Sequence, residues 1–373
     1  MEATLLDTNF EPIDIIDRYK SFIWTDRYAE CGDFELYMQM EETLPYEIKK
    51  GYYLWNAGSE HLMIVEDIKI QSDPEDGAFF IVTGRSLETL LMRRIVWKQT
   101  TFEEDISTGV LPNLQNGIKK LIDENVINPE ITARQIPNFI FEESDDPKIT
   151  ELTFQDQYFG EDLYTIINKL CVENEIGFKL TLNDQKQLVF RLYAGVDRSY
   201  EQSENPYVIF SPKYDNIVTT NYVDSDSSWK NITLVAGKGE VDPETEETIY
   251  QTYVEGFGIG IERREIFTDA TSLSTDDGYG GTLSPEAYEA HLRQRGIDTL
   301  MENTYINALD GEIDPNGAFV YGRDFFVGDI VQLANEYSQE GQAYISEYVM
   351  TCDESGISAY PTFEMIQKGV YEE

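Results

Sequence analysis

The chain has 373 residues, with 70 acids against 28 bases and a formal net charge of −42. The acids are spread along the whole sequence, which weighs against ordinary nucleic-acid binding, where Lys and Arg neutralise phosphates. At 41% hydrophobic and 13% aromatic residues the chain can bury cores for two or three domains of ~100–200 residues. No apolar run approaches the ~20 residues of a membrane span. The opening MEATLLDTNFEPIDII lacks the basic and apolar regions of a secretion signal, so a soluble protein made in the cytoplasm is expected.

Residues 1–98 read as mostly β. IWTDRYAECGDFELYM holds two alternating runs around an Ala-Glu-Cys-Gly-Asp corner, with Phe34, Leu36, Met38 and Met40 on one side. Leu62, Ile64, Ile68 and Ile70 alternate next, the turn 72–77 follows, and AFFIVTG reads as its partner strand. Ser86 opens a short helix with Leu87, Leu90 and Leu91 at helical spacing.

Residues 99–206 read as a compact α+β domain. Leu111, Leu114, Ile118, Leu121 and Ile122 mark one helix face, and Leu163, Ile166, Ile167 and Leu170 another, with Gly177 as its C-cap. FKLTLNDQKQLVFRLY then reads as a hairpin turning at Asn183-Asp184.

Beyond 207 strands return: NIVTTNYV, NITLVAGKG and TIYQTYVE. A Gly/Ser/Thr/Asp-rich stretch leads to a helix starting at Ser284-Pro285 and expected to reach about Leu309. DIVQLAN, AYISEYVMTC and ISAYPTFEM close the chain as strands.

An internal echo links the two ends. Residues 51–84 and 330–365 both read strand, polar turn with Gly, long strand with a central Glu (Glu66, Glu347), acidic turn ending in Gly (Gly77, Gly356), strand. Gly32-Asp33 and Gly328-Asp329 each open a strand. The expectation is a β-rich α+β chain with one β-barrel-like unit used twice. The first unit spans 1–98 and the second 207–268 with 313–373. An α+β domain (99–206) lies between them, and a helical insertion (269–312) interrupts the second. Three copies of such a chain would make a ring of six similar units.

RYKSFIWTDRYAECGDFELYM resembles the opening of siphophage tail-hub proteins, also called tail-associated or baseplate-hub proteins, and YGRDFFVGDIVQL with the ISEY strand resembles their second barrel. The resemblance implies a structural virion protein at the tail tip, assembled in the host cytoplasm. It implies a homotrimeric hub that closes the distal end of the tail tube and gates DNA passage. The partners it implies are the distal tail ring, the C-terminus of the tape-measure protein, and tail fibres or receptor-binding proteins. DNA would meet only an acidic lumen. Longer members carry hydrolase or fibre regions; this chain ends soon after the second barrel, so a minimal hub is expected. A peptidoglycan hydrolase and a glycan- or receptor-binding tail module are the alternatives.

No residue set is expected to carry catalysis, a cofactor or a metal. Cys31 and His61 form the one conceivable nucleophile and base, but no nucleophile signature surrounds Cys31. Cys171 reads as core. Cys31, Cys171 and Cys352 make an odd count without a CxxC pair, and two His (His61, His291) cannot build a multi-histidine site. No HExxH is present. Asp224-x-Asp226 lacks the Gly and Glu of a calcium loop, and Asp276-Asp277-Gly278 reads as a solvated turn. Gly256-x-Gly258-x-Gly260 leads into strand-like alternation instead of a helix, so it fails as a dinucleotide loop and reads as a bend. Trp24, Trp55 and Trp97 read as core or interface residues, with a carbohydrate surface as the alternative.

Overall fold

A computed structural model of the chain describes residues 1–40, 47–73, 77–105, 107–219, 221–242, 247–276, 281–310, 312–315, 317–335, 337 and 340–365. Alternation in the first segment yields β1 (Ala3–Leu6), β2 (Pro12–Ile16), β3 (Ser21–Arg27), β4 (Asp33–Gln39), β5 (Tyr53–Trp55), β6 (Leu62–Asp73) and β7 (Gly77–Ser86). In β4 Phe34, Leu36 and Met38 are buried and Glu35 is exposed, so register is fixed by which face meets the core. That core gathers Phe22, Trp24, Leu54, Met63, Val65 and Val82. Ser86 leads into a 3-10 helix over Leu87–Arg93, the short helix expected there.

The middle of the chain holds β8 (Thr100–Phe102), α1 (Leu114–Ile122), β9 (Phe139–Glu142), α2 (Pro147–Thr150), β10 (Asp156–Tyr158), α3 (Leu163–Glu173), β11 (Gly177–Leu182) and β12 (Leu188–Tyr193). The Asn113 side chain accepts from the Asn116 N–H and caps α1, leaving Leu111 before the helix and partly exposed. Asp162 caps α3 by accepting from the Thr165 N–H. The helix ends at Asn174, not at Gly177, and Gly177 instead opens β11. Its glycine serves packing: a Cβ there would lie 2.5 Å from the Tyr28 ring. β11 and β12 form the expected hairpin, β9 joins β12 in parallel, and α1 and α3 share one core with them.

The remaining elements are β13 (Ile209–Phe210), β14 (Asn221–Ser225), β15 (Ile232–Val241), β16 (Thr248–Gly256), β17 (Glu265–Asp269), α4 (Pro285–Glu302), β18 (Ile306–Asp310), β19 (Ile330–Ala334), β20 (Glu340–Asp353) and β21 (Gly356–Met365). Ser284 caps α4 as expected, but the helix ends at Glu302 and not near Leu309. Residues 306–310 form β18 because they pair with β14 on one side and β21 on the other, and the ladder overrides helical spacing. β15 pairs with β16 and β17 in a three-stranded sheet of its own, and Tyr288 and Leu292 of α4 pack against its Val235. The sequence places residues 207–268 in the second unit and the helix in an insertion over 269–312; in the structure the β15–β17 sheet and α4 share one small core. Lys169 of α3 pairs with Asp298 of α4, and Arg295 stands 3.6 Å from Asp156.

The echo becomes a repeat of topology. One large sheet runs β14-β18-β21-β20-β3-β4-β7-β6-β5-β1-β2, with β19 on β20 and β13 on β19. Within it β3-β4-β7-β6-β5 and β14-β18-β21-β20-β19 are the same five strands in the same order. β6 and β20 each carry a bulge, between Val65 and Asp67 and between Ile345 and Glu347. Aligning the bulges sets Glu66 on Ser346 and Asp67 on Glu347, one residue away from the alignment of the two glutamates. The glycine echo also moves. Gly328 answers Gly51, not Gly32: both have positive φ (82° and 90°), and their N–H groups donate to Val65 O and Ile345 O. The units are halves of one sheet that, among the described residues, closes into no barrel, which corrects the expectation of barrel-like domains.

Candidate assembly seam

The two units meet where β20 of the second pairs antiparallel with β3 of the first, Glu347 opposite Arg27 through Asp353 opposite Ser21. Arg27 Nε donates to Glu347 at 2.6 Å, and its Nη1 donates to Asp33 at 2.5 Å and to the Cys31 carbonyl at 3.0 Å. Burial works against the Arg27 charge, but the two carboxylates hold its pKa above the ordinary value. The preceding residue, Asp26, is buried and accepts from Trp24 Nε1 (3.0 Å), Ser59 Oγ (2.8 Å) and Tyr321 OH (2.9 Å), so one carboxylate ties both units together. Burial, then the Asp26 charge, keeps the Tyr321 hydroxyl protonated far above its usual range. Tyr28 donates through its N–H to Ser346 O and through its hydroxyl to Glu175 O, which reaches the middle domain. On the other side Asp329 accepts from Val196 and Phe326 N–H groups and from Arg198 Nε at 2.7 Å.

The Cys31 corner is architectural. Burial pushes the Cys31 thiol pKa up, away from nucleophilic readiness, and its N–H donates to Tyr164 OH at 2.9 Å. His61 does not serve it. The imidazole is buried with Nδ1 3.2 Å from Glu88 Oε1, and that oxygen also accepts the Leu180 N–H at 2.7 Å. Burial opposes the His61 charge, yet Glu88 and Asp26 together push its pKa up to about 9. The pair is a buried ion pair joining the first unit to β11. Gly32 is required by space and not by a special φ: a Cβ there would lie 2.3 Å from the Thr25 carbonyl oxygen. Its N–H donates to Ser86 Oγ at 2.8 Å.

The remaining candidates are dispersed. Trp24 is core, whereas Trp55 and Trp97 are exposed, the latter beneath the Arg134 guanidinium at 4.8 Å. Asp224 accepts from Tyr305 OH, and Asp226 pairs with Arg264. Asp276 offers its carbonyl to Gln99 and Gln157, while Asp277-Gly278 lies outside the described residues. Gly256 (φ 92°) and Gly260 (φ 59°) turn the chain from β16 into a short 3-10 helix and then β17. Cys171 is core, Cys352 is partly exposed on β20, and His291 is buried on α4. No group of three or more His, Cys, Asp or Glu among the described residues is arranged to hold a metal. No helix among them is long and apolar enough to cross a membrane. Sequence reasoning missed Asp26 and Asp329 as anchors, because their partners lie up to 295 residues away.

Residues 2–363 match the family described as Siphovirus ReqiPepy6 Gp37-like protein. No curated protein matches the chain significantly. Among solved structures it is similar to the prophage MuSo2 43 kDa tail protein of Shewanella oneidensis, at 13% identity and TM-score 0.56, covering 98% of both chains. It is similar to the prophage tail protein gp18 of Listeria monocytogenes EGD-e, at 14% identity and TM-score 0.53, covering 99% of this chain and 96% of that one. A tail protein of Neisseria meningitidis MC58 matches at 10% identity and TM-score 0.54, covering 97% and 96%. These likenesses establish the fold, and the family match covers nearly the whole chain. The chain therefore belongs to the Siphovirus ReqiPepy6 Gp37-like family and has the fold of phage tail proteins, as its opening and closing segments implied.

Proposed function

We propose that the protein is a structural tail-tip hub: a homotrimer that closes the distal end of a phage tail tube and links it to the host-recognition apparatus. The observation that carries this reading is the duplication of one five-strand unit inside a single continuous sheet. A chain that holds two equivalent units can present six around an axis with three copies, the match a threefold part needs against a sixfold tube. The distal tail ring, the tape-measure C-terminus and the fibres or receptor-binding proteins are the partners. DNA is a passenger: a wall drawn from a chain of net charge −42 repels phosphates and lets the duplex slide. The working division is a first unit to about residue 98, a middle domain to about 206, and a second unit interrupted by the β15–β17 sheet with α4.

Light-scattering mass on purified protein tests the assembly. A species near three times the 42.9 kDa chain supports the hub. A strict monomer at high concentration argues against it. A trimer reconstruction with a neutral or basic lumen would sink the DNA-sliding account while sparing the hub.

A further inference from the structure

The repeat leaves two strand edges whose counterparts are occupied within the chain. In the second unit β20 pairs with β19 over its first half and with β3 over Glu347–Asp353. In the first unit β6 pairs with β5 only over Leu62–Ile64, and among the described residues no strand lies beside Asp67–Asp73 on that side. The counterpart of β3 is β14, which ends the sheet with β18 on its paired side. The internal seam joins β20 to β3, so the same join between copies runs from β6 of one copy to β14 of another.

We propose that Asp67–Gln71 of one copy pairs antiparallel with Asn221–Ser225 of a second copy of this chain, in the register of the internal seam. The inference rests on the hub reading above and names its interface. The bulges set Asp67 on Glu347, and the ladders through β4 and β18 set Thr25 on Val223. Glu347 opposite Arg27 then becomes Asp67 opposite Ser225. By the same step Lys69 faces Val223, Ile70 faces Tyr222 and Gln71 faces Asn221. This register opposes no like charges directly. Ile70 is 63% exposed and Val223 42% exposed in the single chain. Pairing sets the Tyr222 ring over the first and the Lys69 stem over the second. An exposed edge of this length invites strand addition, and a head-to-tail contact of this kind forms a ring when its rotation closes.

The test is disulfide trapping in the full chain with the partly exposed Cys352 replaced by Ser. Lys69→Cys with Val223→Cys puts the thiols on opposed residues, whose antiparallel Cα separation of about 4.5–5.5 Å suits a disulfide. Both sites are exposed, so folding is retained. The expected result on mild oxidation is a shift from monomer to covalent trimer on non-reducing gels. Lys69→Cys with Asp224→Cys puts the thiols on opposite sheet faces, and the trimer band is lost. A trimer by mass that fails to cross-link in register, or cross-links equally in the control, overturns the edge pairing and leaves the hub standing. A monomer that gives no cross-link overturns both.

Discussion

Arg27 and Glu347, 320 residues apart in sequence, meet at 2.6 Å across the join between β3 and β20. With the Arg27–Asp33 contact, this makes a three-membered charge cluster whose groups are mostly shielded from water. Arg27→Ala leaves two carboxylates facing each other without a cation. It is expected to lower unfolding stability by about 1–3 kcal/mol, read as a shifted urea midpoint at unchanged slope. Arg27→Lys should recover only part, since an ammonium cannot span both carboxylates and the Cys31 carbonyl. An unshifted midpoint for Arg27→Ala would show that the seam holds by its ladder alone.

Cys31 and Gly32 are neighbours with opposite tolerances. Cys31→Ser is expected to cost about 1 kcal/mol and leave the oligomeric mass unchanged. Gly32→Val forces a Cβ against the Thr25 carbonyl and should cost about 3 kcal/mol or more, or abolish soluble protein. Thermal unfolding and light scattering of the two variants decide it, and equal tolerance of both contradicts the account.

Gly51 and Gly328 hold equivalent turns in the two units but have different surroundings. A Cβ on Gly51 meets nothing within 4 Å, whereas one on Gly328 would lie 2.2 Å from the Tyr28 ring. Gly51→Ala should cost about 1–2 kcal/mol, from the left-handed backbone alone. Gly328→Ala should cost at least about 1 kcal/mol more, because the ring must also move. Matched chemical melts of the two variants measure the difference.

The His61–Glu88 pair predicts a pH signature. The folded pKa of His61, about 9, lies above the unfolded value of 6.5, so its contribution is fully present below pH 6.5. As pH rises from 6.5 to 9 the folded state binds more protons than the unfolded, and stability falls by up to about 1.4 kcal/mol per pH unit. The Glu88 pKa is lowered by His61 against the opposing effect of burial, so its contribution is present above the ordinary carboxylate range and lost in acid. Glu88→Gln keeps an acceptor for the Leu180 N–H and should flatten the alkaline slope. Unfolding midpoints at pH 6, 7.5 and 9 check this, and an unchanged slope in the variant places the titration elsewhere.

Period-two alternation gave β3, β4, β6, β7 and the β11–β12 hairpin directly, because each buries one face and a register slip would turn that face to water. Ser284-Pro285 likewise marked the start of α4. The end of that helix was not legible: residues 306–310 follow helical spacing, and their strand state depends on β14 and β21, with partners up to 89 residues behind and 56 ahead. The glycine echo misled for a related reason. Gly32 and Gly328 share a following Asp, but Gly51 and Gly328 share the φ and the hydrogen bond.

By itself the sequence determined composition-level facts and local elements: an acidic, β-rich chain, its hairpins, helix caps, and a motif pair pointing to phage tail hubs. These depend on interactions within a few residues, where turn chemistry, capping and alternation act. Only the tertiary structure decided that the two units share one sheet, that the β15–β17 strands belong with α4, and that Asp26 is the node joining both units. Those outcomes depend on which edges find each other across as many as 332 residues, from Ser21 to Asp353, a choice made by the complementarity of whole faces.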